Sequence, residues 1–232
     1  VRFASWMGGD RDGNPFVTAE SLEMALRMQC ETALTHYLHE LHALGTELSM
    51  STLLVQATPA LLALADAAQD QNPHRTDEAY RRAIIGMYAR TAAVLHERTR
   101  ARPPYPAKAA TPYAASEELL RDLRTLEHSL RQYHGDALLS LRLAPLIRAV
   151  EVFGFHLATL DLRQNSEAHE ETVAELLRMA QVESDYRALD ETGKRQRLLA
   201  VLHDVRPLHV PDVDYSENTR CELAVFQTAA RQ

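Results

Sequence analysis

Phe155-His156-Leu157-Ala158-Thr159-Leu160-Asp161-Leu162-Arg163 breaks the pattern that governs the rest of the 232-residue chain. Its apolar residues are nearly continuous. Leu157, Thr159, Asp161 and Arg163 alternate with His156, Ala158, Leu160 and Leu162, which predicts a strand buried on both faces. Elsewhere the apolar residues recur every three or four positions, as amphipathic helices require. Over about 18–44, Leu22, Leu26, Cys30, Leu34, Tyr37, Leu38, Leu41 and Leu44 keep that spacing, with Gly45 placed to end the run. Thr58-Pro59 reads as an N-cap followed by proline at the first helical position, opening a short helix to about 68. A further helix is predicted over about 77–100, through Tyr80, Ile84, Met87, Tyr88 and Leu95. Pro103, Pro104, Pro106 and Pro112 make residues 101–115 an exposed, flexible connector. Helices follow over about 116–133, N-capped by Ser116, and over 136–152. Ser166 caps another to about 180, and two more lie near 192–204 and 217–231. The last presents Leu223, Val225 and Phe226 as its apolar face. Val1-Arg2-Phe3-Ala4-Ser5-Trp6 opens the chain as a second strand, with no preceding methionine or leader, and the final helix stops in mid-pattern; both point to an excised piece.

Between that opening strand and the first helix stands Trp6-Met7-Gly8-Gly9-Asp10-Arg11-Asp12-Gly13-Asn14-Pro15. Gly8, Gly9 and Gly13 let the backbone reach positive φ and approach a ligand closely, and Asn14-Pro15 enforces a turn. Taken alone, Trp6 reads as a core aromatic, and Asp10-Arg11-Asp12 as a solvated turn with local salt bridges. At the other segment, an arginine ending a buried strand must meet something anionic. For Arg163 that is either a ligand or a salt bridge to Asp161 or to the acids near 167–171. Strand ends are also where barrel enzymes keep their catalysis. His36, His39 and His42 line one face of the long helix, but the spacing is not that of a zinc-binding H-E-x-x-H helix and no third ligand accompanies it, so no metal site is predicted.

Residues 5–15 read S-W-M-G-G-D-R-D-G-N-P, and residues 153–166 match F-G-x-x-L-x-x-L-D-(I/L)-R-Q-x-S in order. Together these segments resemble the phosphoenolpyruvate carboxylase family, and the likeness runs in register through Glu47-Leu48-Ser49-Met50 and Ala57-Thr58-Pro59 across essentially the whole chain. The resemblance implies a mainly α chain: one internal helical segment, 1–232, excised from an α/β, TIM-like barrel enzyme, with two short barrel strands near 2–7 and 155–163. It implies that Arg163 is catalytic, binding the phosphate and the carboxyphosphate formed when bicarbonate attacks phosphoenolpyruvate. Trp6, Arg11, Gly8 and Gly9 are implied to bind substrate, Trp6 as an apolar wall beside its methylene carbon, while Asp10, Asp12 and Gly13 shape the loop. The parent is expected to be a cytoplasmic, Mg2+-dependent homotetramer under metabolite control, with phosphoenolpyruvate and bicarbonate as substrates. The family's T-A-H-P-T-E histidine motif, metal-holding carboxylates and F-H-G-R-G-G loop are not in these residues. The chain alone is therefore expected to be inactive, its partners being the rest of the parent. Thr159 and Asn165 depart from the family's usual basic and acidic residues and bear on how Arg163 is paired.

Bulk properties narrow the alternatives. The net charge is −7, and the basic residues are spread without forming a stripe, which argues against a nucleic-acid footprint. Cys30 and Cys221 lack C-x-x-C spacing and read as buried thiols. No run approaches about 18 apolar residues, so neither a membrane span nor a secretion signal is predicted. Two rival readings use the same helices and glycines: a non-enzymatic scaffold or interaction domain, and an unrelated phosphate-binding enzyme. A scaffold would tolerate substitution of Arg163 and Trp6; an unrelated enzyme would hold the two signature segments apart.

Overall fold

The computed structural model describes residues 3–14, 16–134 and 137–231. Arg2 of the expected first strand, Pro15 of the expected turn and Asp136 at an expected helix start lie outside the described residues. Within them the secondary structure is mainly helical, with two short strands. In order these are β1 (Ala4–Ser5), α1 (Ala19–Glu47), α2 (Pro59–Ala67), α3 (Ala79–Thr99), α4 (Ser116–His134), α5 (Leu143–Phe153), β2 (Thr159–Leu160), α6 (Ser166–Met179), α7 (Glu191–Leu202) and α8 (Glu217–Arg231). No helix among the described residues is long and apolar enough to cross a membrane. The chain divides into two compact units, Val1–Ala4 with Leu26–Thr159, and Ser5–Ala25 with Leu160–Gln232.

The first unit is built on a continuous apolar core in which Leu34, Leu38 and Leu41 of α1 join Tyr80, Ile84 and Leu95 of α3 and Leu119, Leu123 and Leu126 of α4. Here α2 packs on α3, and α4 on α5. Thr58 caps α2 as its sequence predicts, its hydroxyl accepting from the Leu61 N–H. Gly45 does not end α1, which runs on to Glu47. Instead the glycine gives room to a neighbour, since a Cβ there would come within 3.3 Å of Ile84 Cγ2. The helix expected over 136–152 begins only at Leu143. That start places Pro145 in the first turn, where no N–H is required of it; an earlier start would put it in the helix interior. The Tyr37 hydroxyl, its pKa raised by burial, donates to the Gly154 carbonyl at 2.7 Å and so ties α1 to the end of α5.

Residues 101–115 form neither helix nor strand and are mostly exposed, but two tyrosines anchor them. Tyr113 is buried under the Arg90 guanidinium, 3.7 Å from its ring centre, and donates to Asp122 at 2.7 Å. Burial pushes the Asp122 carboxyl above its ordinary pKa against the pull of that hydrogen bond and of Arg90. The Tyr105 ring stacks on His42 at 3.7 Å and meets His39 edge-on at 5.7 Å, which accounts for two of the three histidines on α1.

The strands are shorter and less enclosed than their sequence suggests. The Thr159 N–H donates to the Phe3 carbonyl at 3.0 Å and the Asp161 N–H to the Ser5 carbonyl at 2.8 Å. Donor and acceptor advance in the same direction, so the pair is parallel. Of 155–163 only Phe155 is buried, which corrects the expectation of a strand covered on both faces. The sheet has only these two strands among the described residues, and a strand covered on both faces needs layers on each side of its sheet.

In the second unit α6 packs against α8. Its cap is Asn165, not Ser166: the Asn165 side chain accepts from the Glu167 N–H at 2.9 Å. The Asp190 side chain caps α7 in the same manner through the Gly193 N–H. On α8 the buried positions are Thr219, Glu222 and Val225, a three-residue period that leaves Phe226 exposed. Cys221 falls outside that stripe and is exposed, contrary to expectation, whereas Cys30 is buried.

Candidate active site

Beyond β1 and β2 the same two segments stay zipped together. The Arg163 N–H donates to the Gly9 carbonyl and the Arg11 N–H to the Arg163 carbonyl, both at 2.9 Å, a parallel bridge between Asp10 and Arg163. Between β1 and this bridge the chain folds into a tight turn in which the Trp6 carbonyl accepts from the N–H groups of both Gly9 and Asp10. Two glycines make that geometry possible. A Cβ on Gly9 would lie 2.3 Å from the Asp161 carbonyl oxygen, so any side chain there would force the segments apart. Gly8 has φ +89° and a Cβ would meet that of Ala25 at 2.5 Å. Asp12 and Gly13 follow in an exposed turn, where the Asn14 N–H returns to the Arg11 carbonyl at 3.2 Å.

The bridge brings together the two side chains on which the sequence reading depends. The Arg163 guanidinium carbon lies 5.1 Å from the centre of the Trp6 ring, within cation–π range. Trp6 is 61% exposed, so it is not the core aromatic that its residue type alone suggests. The Arg163 side chain is 48% exposed, and its ion-pair partner is Asp10, with Nη1 3.5 Å from Oδ2. At that exposure the pair contributes at most about 1 kcal/mol. Asp161 is not the partner, and the nearby acids are engaged elsewhere: Glu167 and Glu171 with Arg187, Glu170 with Lys194. The result is an exposed arginine fork beside an exposed indole, loosely held by one carboxylate, a surface that can accept an anion with an apolar portion.

Arg11, expected to touch substrate, is placed otherwise. Its side chain is only 5% exposed, and Nη1 donates to Glu222 Oε1 of α8 at 2.5 Å. The same oxygen accepts from Gln164 Nε2 at 2.9 Å, the residue directly after Arg163. Nε and Nη2 of Arg11 and Oε2 of Glu222 are buried without a hydrogen bond; His169 Nε2 stands 3.5 Å from that Oε2, a charge-pair distance without hydrogen-bond geometry. Buried charges of this kind are sustained only by one another. Glu222 was not among the residues singled out from the sequence, yet its signal is there: it is the acid in the middle of the Thr219–Val225 stripe of an amphipathic helix, where an unpaired charge would be untenable.

A family profile described as phosphoenolpyruvate carboxylase matches residues 1–232. The chain belongs to the phosphoenolpyruvate carboxylase family. It is 52% identical over 237 residues to the phosphoenolpyruvate carboxylase of Burkholderia mallei (strain SAVP1), a match that covers 98% of this chain and 24% of that protein. With the enzyme of Ralstonia nicotianae (strain ATCC BAA-1114 / GMI1000) the identity is 53% over 234 residues, covering 98% and 23%. With that of Burkholderia vietnamiensis (strain G4 / LMG 22486) it is 49% over 239 residues, covering 98% and 24%. The chain thus spans about a quarter of the length of the phosphoenolpyruvate carboxylases it matches. Among the described residues no group of three or more His, Cys, Asp or Glu side chains is arranged to hold a metal ion. The donors present among the described residues therefore do not fit the divalent cation expected of a phosphoenolpyruvate carboxylase.

Proposed function

We propose that this chain is a segment of an enzyme that carboxylates phosphoenolpyruvate with bicarbonate, yielding oxaloacetate and phosphate, and that its two strands derive from a TIM-like barrel. The observation that carries this reading is the half-exposed Arg163 guanidinium set over Trp6 at 5.1 Å, from segments remote in sequence. In the proposal, Arg163 binds the phosphate of phosphoenolpyruvate. Bicarbonate oxygen attacks phosphorus, the phosphorus–enol oxygen bond breaks, and carboxyphosphate and the enolate of pyruvate result. Charge gathers on the transferring phosphoryl oxygens, where a planar fork of N–H donors is best suited to stabilise it without moving a proton. Carboxyphosphate then releases carbon dioxide and phosphate, and the enolate methylene carbon attacks the carbon dioxide. Trp6 forms an apolar wall there, limiting the water that would protonate the enolate instead.

Gly8 and Gly9 allow the loop to come this close to Arg163, and Asp10, Asp12 and Gly13 keep its shape. Arg11 enters as a residue that holds the loop, not as a substrate contact, because its guanidinium is buried against Glu222. Magnesium, in this proposal, is bound by carboxylates of the parent outside this chain, and the parent is a cytoplasmic, metabolite-controlled homotetramer. The 232-residue chain by itself is inactive, because reacting groups and metal charge supply much of such a rate.

The decisive experiment is Arg163→Ala in the full-length protein that contains this chain. Oxaloacetate formation with phosphoenolpyruvate, bicarbonate and magnesium is expected to fall to background while the circular dichroism spectrum is unchanged. Turnover near that of the unsubstituted protein would overturn the reading.

A further inference from the structure

We infer that Glu222 is a positioning residue for the phosphoenolpyruvate site, the buried carboxylate that holds Trp6 and Arg163 face to face from behind. The inference rests on the active-site reading above. Its basis is that one carboxylate oxygen, Glu222 Oε1, receives a donor from each of the two segments that make the site. Arg11 Nη1 arrives from the glycine loop at 2.5 Å, and Gln164 Nε2 from the residue beside Arg163 at 2.9 Å. Each donor belongs to a residue whose backbone is tied to Arg163, Arg11 by a hydrogen bond and Gln164 by the chain itself. The Arg11 N–H is bonded to the Arg163 carbonyl, and the Arg163 N–H to the Gly9 carbonyl, three residues from Trp6. The chain of contacts from Glu222 to the guanidinium–indole pair is therefore short and made of directional bonds.

Burial gives the carboxylate its leverage. The Glu222 side chain is 4% exposed, and it is the only hydrogen-bond partner of the Arg11 guanidinium among the described residues. In water such a contact exchanges freely with solvent; here the alternative is an unpaired buried charge, so the geometry is enforced. The Arg163–Asp10 contact, exposed and 3.5 Å long, has no comparable hold. The loop is thus fixed by the pair behind it, leaving the forward guanidinium N–H groups of Arg163 available to a phosphate.

A double-mutant cycle in the full-length protein tests this, with phosphoenolpyruvate affinity read by calorimetry and kcat and KM read separately. Glu222→Ala is expected to weaken phosphoenolpyruvate binding about tenfold, as a small displacement of a binding group does. In an Arg163→Ala background the same substitution is expected to change affinity less than about twofold, because the group it positions is gone. Glu222→Gln, which keeps an acceptor oxygen for both donors, is expected to restore most of the loss. Should Glu222→Ala fail to fold, the apolar pair Arg11→Met with Glu222→Leu carries the same cycle. An equal loss in both backgrounds, or none with Arg163 present, overturns the inference while leaving the active-site reading intact. Unchanged affinity on Arg163→Ala alone overturns that reading, and the inference with it.

Discussion

The unit of residues 26–159 and the unit holding residues 5–25 and 160–232 bury different chemistry. In the first, a continuous cluster of Leu, Ile, Val, Met and Tyr side chains from α1, α2, α3, α4 and α5 forms the interior, and its buried polar groups are the hydroxyls of Thr58, Thr91, Thr99 and Ser129 and Glu127, which pairs with half-exposed arginines. In the second, the buried apolar side chains are few, among them Leu22, Leu177, Tyr186, Tyr215 and Val225, and they share the interior with Arg11, Thr172, Thr219 and Glu222. Apolar packing is non-directional and fixes shape by volume. A buried ion pair is directional and fixes one atom against another, at a cost in stability that apolar side chains of like size would not carry. The contrast lies in the ion pair: behind the Trp6–Arg163 pair both partners are enclosed, whereas Glu127 of the first unit pairs with the half-exposed Arg124 and Arg131.

Four variants of the full-length protein, followed by peptide-resolved hydrogen exchange and chemical unfolding, break or sharpen that contrast. The largest effect is expected at the ion pair: Glu222→Ala strands the Arg11 guanidinium and costs about 3–5 kcal/mol. Lost protection should be confined to peptides of 5–25 and 160–231. The double replacement Arg11→Met with Glu222→Leu should instead be neutral or stabilising by up to about 4 kcal/mol; equal damage from the single and double changes would show that the pair is not what distinguishes this unit. Next comes Leu95→Ala, at a fully buried position of α3, with a loss of about 2–5 kcal/mol read in peptides of 26–159. Loss of protection spreading equally through both units would erase the contrast. The smallest effect is expected from Asp10→Asn, below about 1 kcal/mol, since its pairing with Arg163 is exposed. A loss as large as that of Glu222→Ala would move the directional hold to the front of the site.

Much of this was legible in the residue order, and the misses have physical causes. Helical periodicity located α1, α2, α3, α4, α6, α7 and α8, and Thr58-Pro59 marked a start that local capping chemistry decides. Where local rules competed, tertiary context decided. Gly45 could have ended a helix but serves the approach of Ile84, and the start of α5 is set by Pro145. Asn165, noted only as a departure from the family's usual acid, turned out to be the cap of α6. At the site, the glycine loop and Arg163 stood out because their composition is unhelpful to mere folding. Glu222 did not, because its meaning comes from Arg11, and that contact spans 211 positions. Periodicity sees neighbours at three and four residues; it has no access to a partner chosen by the closure of a long loop.

That 211-residue span has a consequence for the newborn chain. The glycine loop leaves the ribosome well before the acid that neutralises its arginine, which follows only with the first turns of α8. At about 5–20 residues per second that delay is roughly 10–40 s. Throughout it, a guanidinium destined for the interior has no permanent counterion, whereas the leucine-lined helices of 26–159 already have theirs to pack against. Translation speed between residues 11 and 222 therefore sets how long this arginine waits for its buried partner.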